Sequence, residues 1–236
     1  MFFRFNPRKT WQEKIFDRVF KDRKIRQDQL LPFGFVQGKH GFSYRANLLA
    51  GMFHLDVDIH PDGSVHVAVN GAEEMEYDLL RSAQDASATF LDRQLRREYE
   101  EELWHVAECC FEPDVFKNEI TRRVISYIRT TYGDELEFLW RKSPESAIIR
   151  RRDKGTWYAV FLVIPRSRLD GASVEKIEVL NLRVNPAELE SCVDNVSRFP
   201  GYHMNKKNWA SLCLDGSVPF DELVERLEAS YRLALK

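Results

Sequence analysis

The stretch that decides the fold reads Pro200-Gly201-Tyr202-His203-Met204-Asn205-Lys206-Lys207-Asn208-Trp209. Proline, glycine and asparagine are residues typical of turns, and here they surround a histidine, two lysines and a tryptophan. The next segment of note is Leu214-Asp215-Gly216-Ser217-Val218-Pro219. Its Asp-Gly-Ser pattern predicts a turn and a helix cap, not a phosphate-binding loop. A compact polar turn is therefore expected shortly before a last helix.

The residues around this stretch predict antiparallel strands and helices. A helix is expected over 118–131, with Gly133 as its cap, and a further helix over 186–197 begins with Pro186 at its first position. The last helix carries an apolar stripe at helical spacing, made of Leu223, Val224, Leu227, Tyr231 and Ala234. Strands are predicted over 136–140, 147–152, 157–164, 176–183 and 210–214. This order favours an antiparallel sheet packed with helices.

Residues 113–236 resemble the MmcQ/YjbR family. The resemblance rests on Thr156-Trp157-Tyr158-Ala159-Val160, on Leu180-Asn181-Leu182-Arg183-Val184-Asn185-Pro186, on Phe199 to Pro219 and on Ser230-Tyr231. It implies an α+β fold similar to frataxin/CyaY, a bacterial origin of this chain, and the family's usual label of predicted DNA-binding protein. This chain departs from the pattern at Asn208, because family members usually have a histidine before the tryptophan. No role of that histidine is carried over.

The first 112 residues predict a separate α+β domain of unknown role, so the chain is divided into domains 1–112 and 113–236. Thr10 and Glu13 have the spacing of a capping box, and the helix they open is expected to fade near Asp28. A strand is predicted over 42–49 and a short piece over 77–80. Alternating strands over 53–59 and 65–69, joined by Asp62-Gly63, predict a β-hairpin.

A long helix over 83–106 completes this first domain. Its predicted buried stripe consists of Phe90, Leu91, Leu95, Tyr99, Leu103 and Val106. The new domain is expected to begin at Phe111-Glu112-Pro113-Asp114, with Pro113 at the start of a helix.

The composition excludes several classes of protein. Of the 236 residues, 44% are hydrophobic, and the net charge is −2, which argues against disorder and against a polybasic nucleic-acid binder. The four cysteines lack C-x-x-C spacing and are interpreted as buried thiols in a reducing cytoplasm. No signal peptide and no membrane-spanning segment are predicted, so we expect a soluble, cytoplasmic protein.

The candidate nucleic-acid contacts are basic residues at two places. Arg150, Arg151, Arg152 and Lys154 surround the predicted turn Asp153-Lys154-Gly155, and Lys206 and Lys207 form a second basic point. Arginines at a hairpin tip can bind phosphates while Trp209 offers a face for stacking. Alternatively, the arginines pair with Glu145, Glu175 and Glu178, and Trp209 is a core residue. The residues alone leave both interpretations open.

A second hypothesis, from a different class, is a small-ligand or protein-interaction module. Tyr202, His203, Asn205 and Trp209 would line its pocket, although a histidine held at a tight turn explains the same residues. A third hypothesis is a metal-dependent enzyme. His54, Asp56, Asp58 and His60 alternate on one face of a strand, with His66 on its partner, but alternating polar residues also suit a solvated strand. Recognised enzyme motifs are absent from the sequence, and no catalytic residue, metal or cofactor is assigned.

Overall fold

Helices and antiparallel sheets make up the chain, which is therefore α+β, as the sequence predicts. The computed structural model describes residues 10–71, 86–171 and 173–235. It divides into two compact units, of which the first ends at Asp114 and the second begins at Val115. Among the described residues, no helix has the length and apolar character needed to cross a membrane.

Over residues 10–71 and 86–114, the first unit contains a four-stranded antiparallel sheet, a two-stranded ribbon and three α-helices. Its helices are α1 (Trp11–Phe20), α2 (Gln27–Phe33) and α3 (Ala86–Cys110). The ribbon pairs β1 (Arg23–Ile25) with β6 (Phe111–Pro113). The sheet runs in the order β2 (Val36–Gly38), β3 (Gly41–Leu48), β4 (Phe53–Ile59) and β5 (Val65–Gly71).

The start of the first helix is predicted correctly, but its end is not. Thr10 and Glu13 form the expected capping box. The helix stops at Phe20, well before Asp28, because residues 23–25 hydrogen-bond to β6. A helix running on to Asp28 would leave β6 without this partner, so a contact distant in sequence overrides the local helical pattern. For the same reason Pro113 lies in a strand and not at the start of a helix.

The hairpin around Asp62-Gly63 forms as predicted, with β4 pairing with β5. Leu55, Val57 and Ile59 are buried on its inner face. The buried side of α3 begins at Leu95 and continues through Tyr99, Leu103 and Val106. Phe90 and Leu91, predicted to be buried, are 62% and 42% exposed, because the apolar cluster of this unit reaches α3 only from Leu95 onward. The strand predicted over 77–80 lies outside the described residues.

The second unit is a five-stranded antiparallel sheet with helices packed on one face. The strands run in the order β10 (Arg198–Pro200), β11 (Trp209–Cys213), β9 (Lys176–Arg183), β8 (Trp157–Pro165) and β7 (Ser146–Arg150). The helices are α4 (Glu119–Tyr132), α5 (Leu189–Cys192) and α6 (Phe220–Leu233). Gly133 caps α4 in the left-handed region, with φ of 70°, as expected.

Two elements of this unit differ from the prediction. Residues 136–140 form only a single bridge, Glu137 to Ile148, in place of a strand. The helix expected over 186–197 is reduced to a 3₁₀ turn, Pro186–Glu188, and the one-turn α5. It ends there because the Asp194 carboxylate accepts hydrogen bonds from the backbone N–H groups of Val196, Ser197 and Arg198. That turn leads into β10, which the sequence pattern did not reveal.

The two faces of the second sheet carry separate apolar clusters. One face packs against α4 and α6 through residues such as Ile128, Leu182 and Leu227. The opposite face holds Ile148, Val160, Leu162, Ile164, Val179 and Trp209. Buried on both sides, the central strand β8 reads as a continuous apolar run. Three of the four cysteines, Cys110, Cys192 and Cys213, are buried free thiols.

Candidate functional site at the end of the second sheet

The hairpin arginines are engaged by carboxylates. Arg150 donates from Nε and Nη2 to both carboxylate oxygens of Glu137, each at 2.6 Å. Arg151 is buried, binds Asp153 at 2.8 and 2.9 Å, and lies over the Tyr231 ring at 3.8 Å. Arg152 is 72% exposed, with its Nε 3.6 Å from Asp134. Two of the three hairpin arginines, Arg150 and Arg151, are therefore bound by carboxylates, and the exposed Arg152 lies near a third.

The hairpin arginines lie beside acidic side chains, as one interpretation of the sequence expected. Their partners are not the predicted Glu145, Glu175 and Glu178. Glu145 binds Lys176 instead, at 2.6 and 2.7 Å. Glu178 accepts the backbone N–H groups of Lys117 and Asn118, just before α4. Sequence reasoning missed Glu137 because it lies in the segment wrongly predicted as a strand. Since Lys154 lies beside the Asp153 carboxylate, it contributes to lowering the pKa of that group, after the hydrogen bond from Arg151.

The 200–209 segment is held against the sheet by two buried polar side chains. Ser211 accepts the backbone N–H of Tyr202 at 2.8 Å and donates to Asn181 Oδ1 at 2.6 Å. Asn181 in turn donates from Nδ2 to the Tyr202 carbonyl at 2.9 Å. Both side chains are fully buried, so this three-way contact satisfies polar groups that would otherwise be costly to bury. It sets the position of the loop relative to β9 and β11.

The four predicted pocket residues have different environments. Trp209 is only 5% exposed and packs with Tyr202 and Met204 in the apolar cluster of the second face. His203 is exposed, has φ of 55° and stacks edge-on against Tyr202 at 4.2 Å. Asn205 is also exposed and accepts the backbone N–H of Lys207. Trp209 is thus a core residue, and the other three shape a turn.

A group of residues not named as a site from the sequence lies beside this turn. We call it the tryptophan end, and it consists of Trp140, Trp157, Arg183 and Trp209. β8 begins at Trp157, β9 ends at Arg183 and β11 begins at Trp209, so the antiparallel order brings all three to one end of the sheet. Trp140 is 38% exposed and meets Trp157 edge-on at 5.7 Å. The pairing of Trp209 with Arg183 was not deducible from spacing within either strand.

Arg183 is the unusual member of the tryptophan end. Its Nε donates to the Trp157 carbonyl, and its guanidinium lies 4.9 Å from the centre of the Trp209 ring. Within the described part of the chain, no carboxylate pairs with it, and its Nη1 and Nη2 groups make no hydrogen bond. Burial lowers the pKa of Arg183, because desolvation disfavours the charged form. A half-buried cation of this kind gains from a bound anion.

Exposed lysines lie next to the tryptophan end. Lys206 and Lys207 precede Trp209 by three and two residues, and both are exposed. Neither forms an ion pair with a described residue. This end of the sheet thus combines indole rings with positive charge, whereas the hairpin arginines are largely neutralised by neighbouring acids.

The alternating strand in the first unit has partners of its own. Asp56 binds Arg45 at 2.6 and 3.1 Å and accepts from Asn70 at 2.8 Å. The hydrogen bond from Arg45 is the main cause that lowers the pKa of Asp56. His54 lies 3.0 Å from Asn47. In the segments that the structure describes, no three histidine, cysteine or acidic side chains are placed to hold a metal ion, and these polar residues form a solvated sheet face.

Comparison with known proteins supports a YjbR-type domain in the second unit. Residues 129–233 match the YjbR family model. The Bacillus subtilis (strain 168) protein YyaQ, described as uncharacterized, is 26% identical over 110 residues, which are 47% of this chain and 93% of that protein.

Two solved structures align with the same share of the chain. A crystal structure from Pseudomonas syringae is 28% identical, with a TM-score of 0.46, and covers 48% of this chain and 97% of its own. One from Deinococcus radiodurans is 28% identical, with a TM-score of 0.37, and covers 48% and 78%. Each match covers less than half of this chain, and none assigns an activity. The CyaY-like fold, the added N-terminal domain and the cytoplasmic location stay predictions.

Proposed function

We propose that the YjbR-type domain is a non-enzymatic binding module for single-stranded DNA, and that the DNA binds at the tryptophan end. The observation that carries this proposal is the Arg183 guanidinium, half-buried between Trp157 and Trp209 without a carboxylate partner among the described residues. The Nη1 and Nη2 groups of Arg183 can donate hydrogen bonds to the oxygens of a phosphate.

The residues near Arg183 can contact the bases and the other phosphates of a nucleotide strand. The exposed part of Trp140 offers an aromatic face on which a base can stack. Lys206 and Lys207 can neutralise two further phosphates and release their counterions. Bases are accessible for stacking in a single strand but not in a duplex, which favours the single-stranded form.

The hairpin is the weaker candidate for the same function. Arg150 and Arg151 would have to leave Glu137 and Asp153 before binding phosphate, and that exchange offsets much of the gain. With a net charge of −2 for the whole chain, binding should be modest and strongly dependent on salt.

Fluorescence anisotropy with a labelled twelve-nucleotide oligo-dT, at several salt concentrations, tests the proposal. The variant Lys206→Gln/Lys207→Gln should bind more weakly and lose about 0.7 of the logarithmic salt slope for each phosphate contact removed. Arg183→Lys keeps the charge but loses the planar fork, and should also weaken binding. Arg150→Gln is the control and should bind like the unmodified protein.

Two results would count against this assignment. Absence of oligo-dT binding by the unmodified protein at low salt would exclude the proposed binding of single-stranded DNA. A loss in Arg150→Gln as large as in the double lysine variant would place the contact at the hairpin.

The second candidate is the small-ligand module, for which Arg183 could bind the anionic group of a single small molecule. A dTMP titration separates the two, because a mononucleotide that binds as tightly as the oligonucleotide would favour this alternative.

A further inference from the structure

A cavity of about 700 Å³ lies within the first unit. Its apolar lining consists of Phe16, Phe20, Ile25, Val65 and Phe111, and its charged lining of Asp17, Lys21, Arg23 and Lys24. The volume is in the range of pockets that hold drug-sized ligands. Neither the YjbR match nor the proposed DNA site involves these residues.

The apolar side of this cavity extends the core of the unit. Phe111 is buried, whereas Phe16, Phe20, Ile25 and Val65 are only half-buried. A second cavity of about 300 Å³ shares Ile25 and Gly63 with the first. The two cavities are therefore adjacent, and an apolar ligand in the first would remove the half-buried side chains from water.

The charged side of the cavity carries more cations than acids. Among the described residues that line it, three are cations, Lys21, Arg23 and Lys24, and one is acidic, Asp17. Lys21 lies 3.8 Å from Asp22 and Lys24 lies 3.4 Å from Asp114, neither of which lines the cavity. The Lys24–Asp114 separation exceeds that of a tight charge-assisted hydrogen bond. An ammonium group has three donors, so each lysine can donate to a ligand carboxylate in addition to the contacts it already makes.

We propose that this cavity binds a free amphipathic carboxylate of the medium-chain fatty acid class. Its chain lies against Phe16, Phe20, Ile25 and Val65, and its carboxylate binds Lys21 and Lys24. The first unit is then a ligand-binding unit, whether or not the second unit binds DNA.

Titration calorimetry on the full chain tests this, with decanoate below its micellar concentration. Decanol has a similar chain without the charge, and acetate has the charge without the chain. Decanoate should bind about tenfold more tightly than decanol, because a charged hydrogen bond is stronger than a neutral one, and acetate should not bind measurably.

Variants then locate the two ends of the ligand. Lys21→Gln/Lys24→Gln should weaken decanoate about tenfold and leave decanol unchanged, whereas Lys14→Gln/Lys142→Gln removes the same charge outside the cavity and should change neither. Val65→Trp should fill the cavity and abolish binding of both. Methyl NMR of the unmodified protein should show decanoate shifting the Val65 resonances, which keeps the test valid if the tryptophan variant fails to fold.

The proposal is wrong if decanoate binds no better than decanol, if the control pair weakens it as much as Lys21→Gln/Lys24→Gln, or if the Val65 methyl resonances do not move. Binding to anionic vesicles without binding of monomeric decanoate would also overturn it, because the ligand would then be a surface and not a free acid.

Discussion

Gly201 has no room for a side chain. A Cβ at this position would lie 2.7 Å from the Trp209 Cβ and 2.9 Å from the Trp209 carbonyl oxygen. The same Trp209 carbonyl oxygen accepts a hydrogen bond from the Gly201 N–H at 2.8 Å. This close approach explains why a glycine stands at the start of the turn, independently of any chemistry there.

Gly201→Ala should therefore lower the free energy of unfolding by about 1–3 kcal/mol, the usual effect of overpacking. Denaturant titration followed by circular dichroism measures this. Gly38→Ala is the control, because its nearest neighbour is 3.9 Å away. An equal loss in the two variants would show that the close contact with Trp209 does not set the cost of the substitution.

Ser211 and Asn181 act as a pair on the same segment. Ser211→Ala would leave the Tyr202 N–H and the Asn181 Oδ1 without their partner, at a cost of about 1–3 kcal/mol in the free energy of unfolding. A double-mutant cycle with Asn181→Ala should give a combined loss smaller than the sum of the two single losses. Additive losses would mean that the two side chains stabilise the loop separately.

At the scale of elements, the turn between α5 and β10 depends on charge. Burial alone raises the pKa of Asp194, but hydrogen bonds from the backbone of Val196, Arg198 and Ser197 outweigh it and leave this pKa well below its ordinary value. The hydrogen bond from Arg198 lowers the pKa of Glu222 in α6. Arg198 thus connects Asp194 in the turn with α6.

Because these pKa values are lower in the folded than in the unfolded chain, their stabilisation is complete above the ordinary carboxyl pKa of about 4 and is lost as the pH falls below it. Asp194→Asn should lower the free energy of unfolding at pH 7. The difference in free energy of unfolding between this variant and the unmodified protein, which is the gap to be measured, should narrow between about pH 4 and pH 2. Urea titrations across this range measure the gap. A gap that stays constant with pH would show that the loss is not electrostatic.

At the scale of the whole molecule, each unit has its own apolar cluster. Leu103 belongs to the cluster of the first unit, and Leu182 belongs to the helix-covered face of the second. Each leucine is fully buried, so replacing either by alanine should cost about 2–5 kcal/mol. The sequence predicts two domains, and we expect each loss to stay within the unit that carries the substitution.

Hydrogen exchange measured by mass spectrometry tests that independence. Leu103→Ala should speed exchange in residues 10–71 and 86–114, and Leu182→Ala in residues 115–171 and 173–235. If either variant speeds exchange in both units alike, the chain unfolds as one cooperative body and not as two domains.

The sequence by itself determined the α+β class, the capping box at Thr10, the Asp62-Gly63 hairpin and the helix ending at Gly133. These depend on residues close together in the chain, so local conformational preferences suffice. The tertiary structure alone decided that α1 ends at Phe20 and that Arg150 faces Glu137. It also placed Arg183 beside Trp209. These outcomes come from strand pairing and ion pairs between segments far apart in sequence, whose register no local pattern specifies.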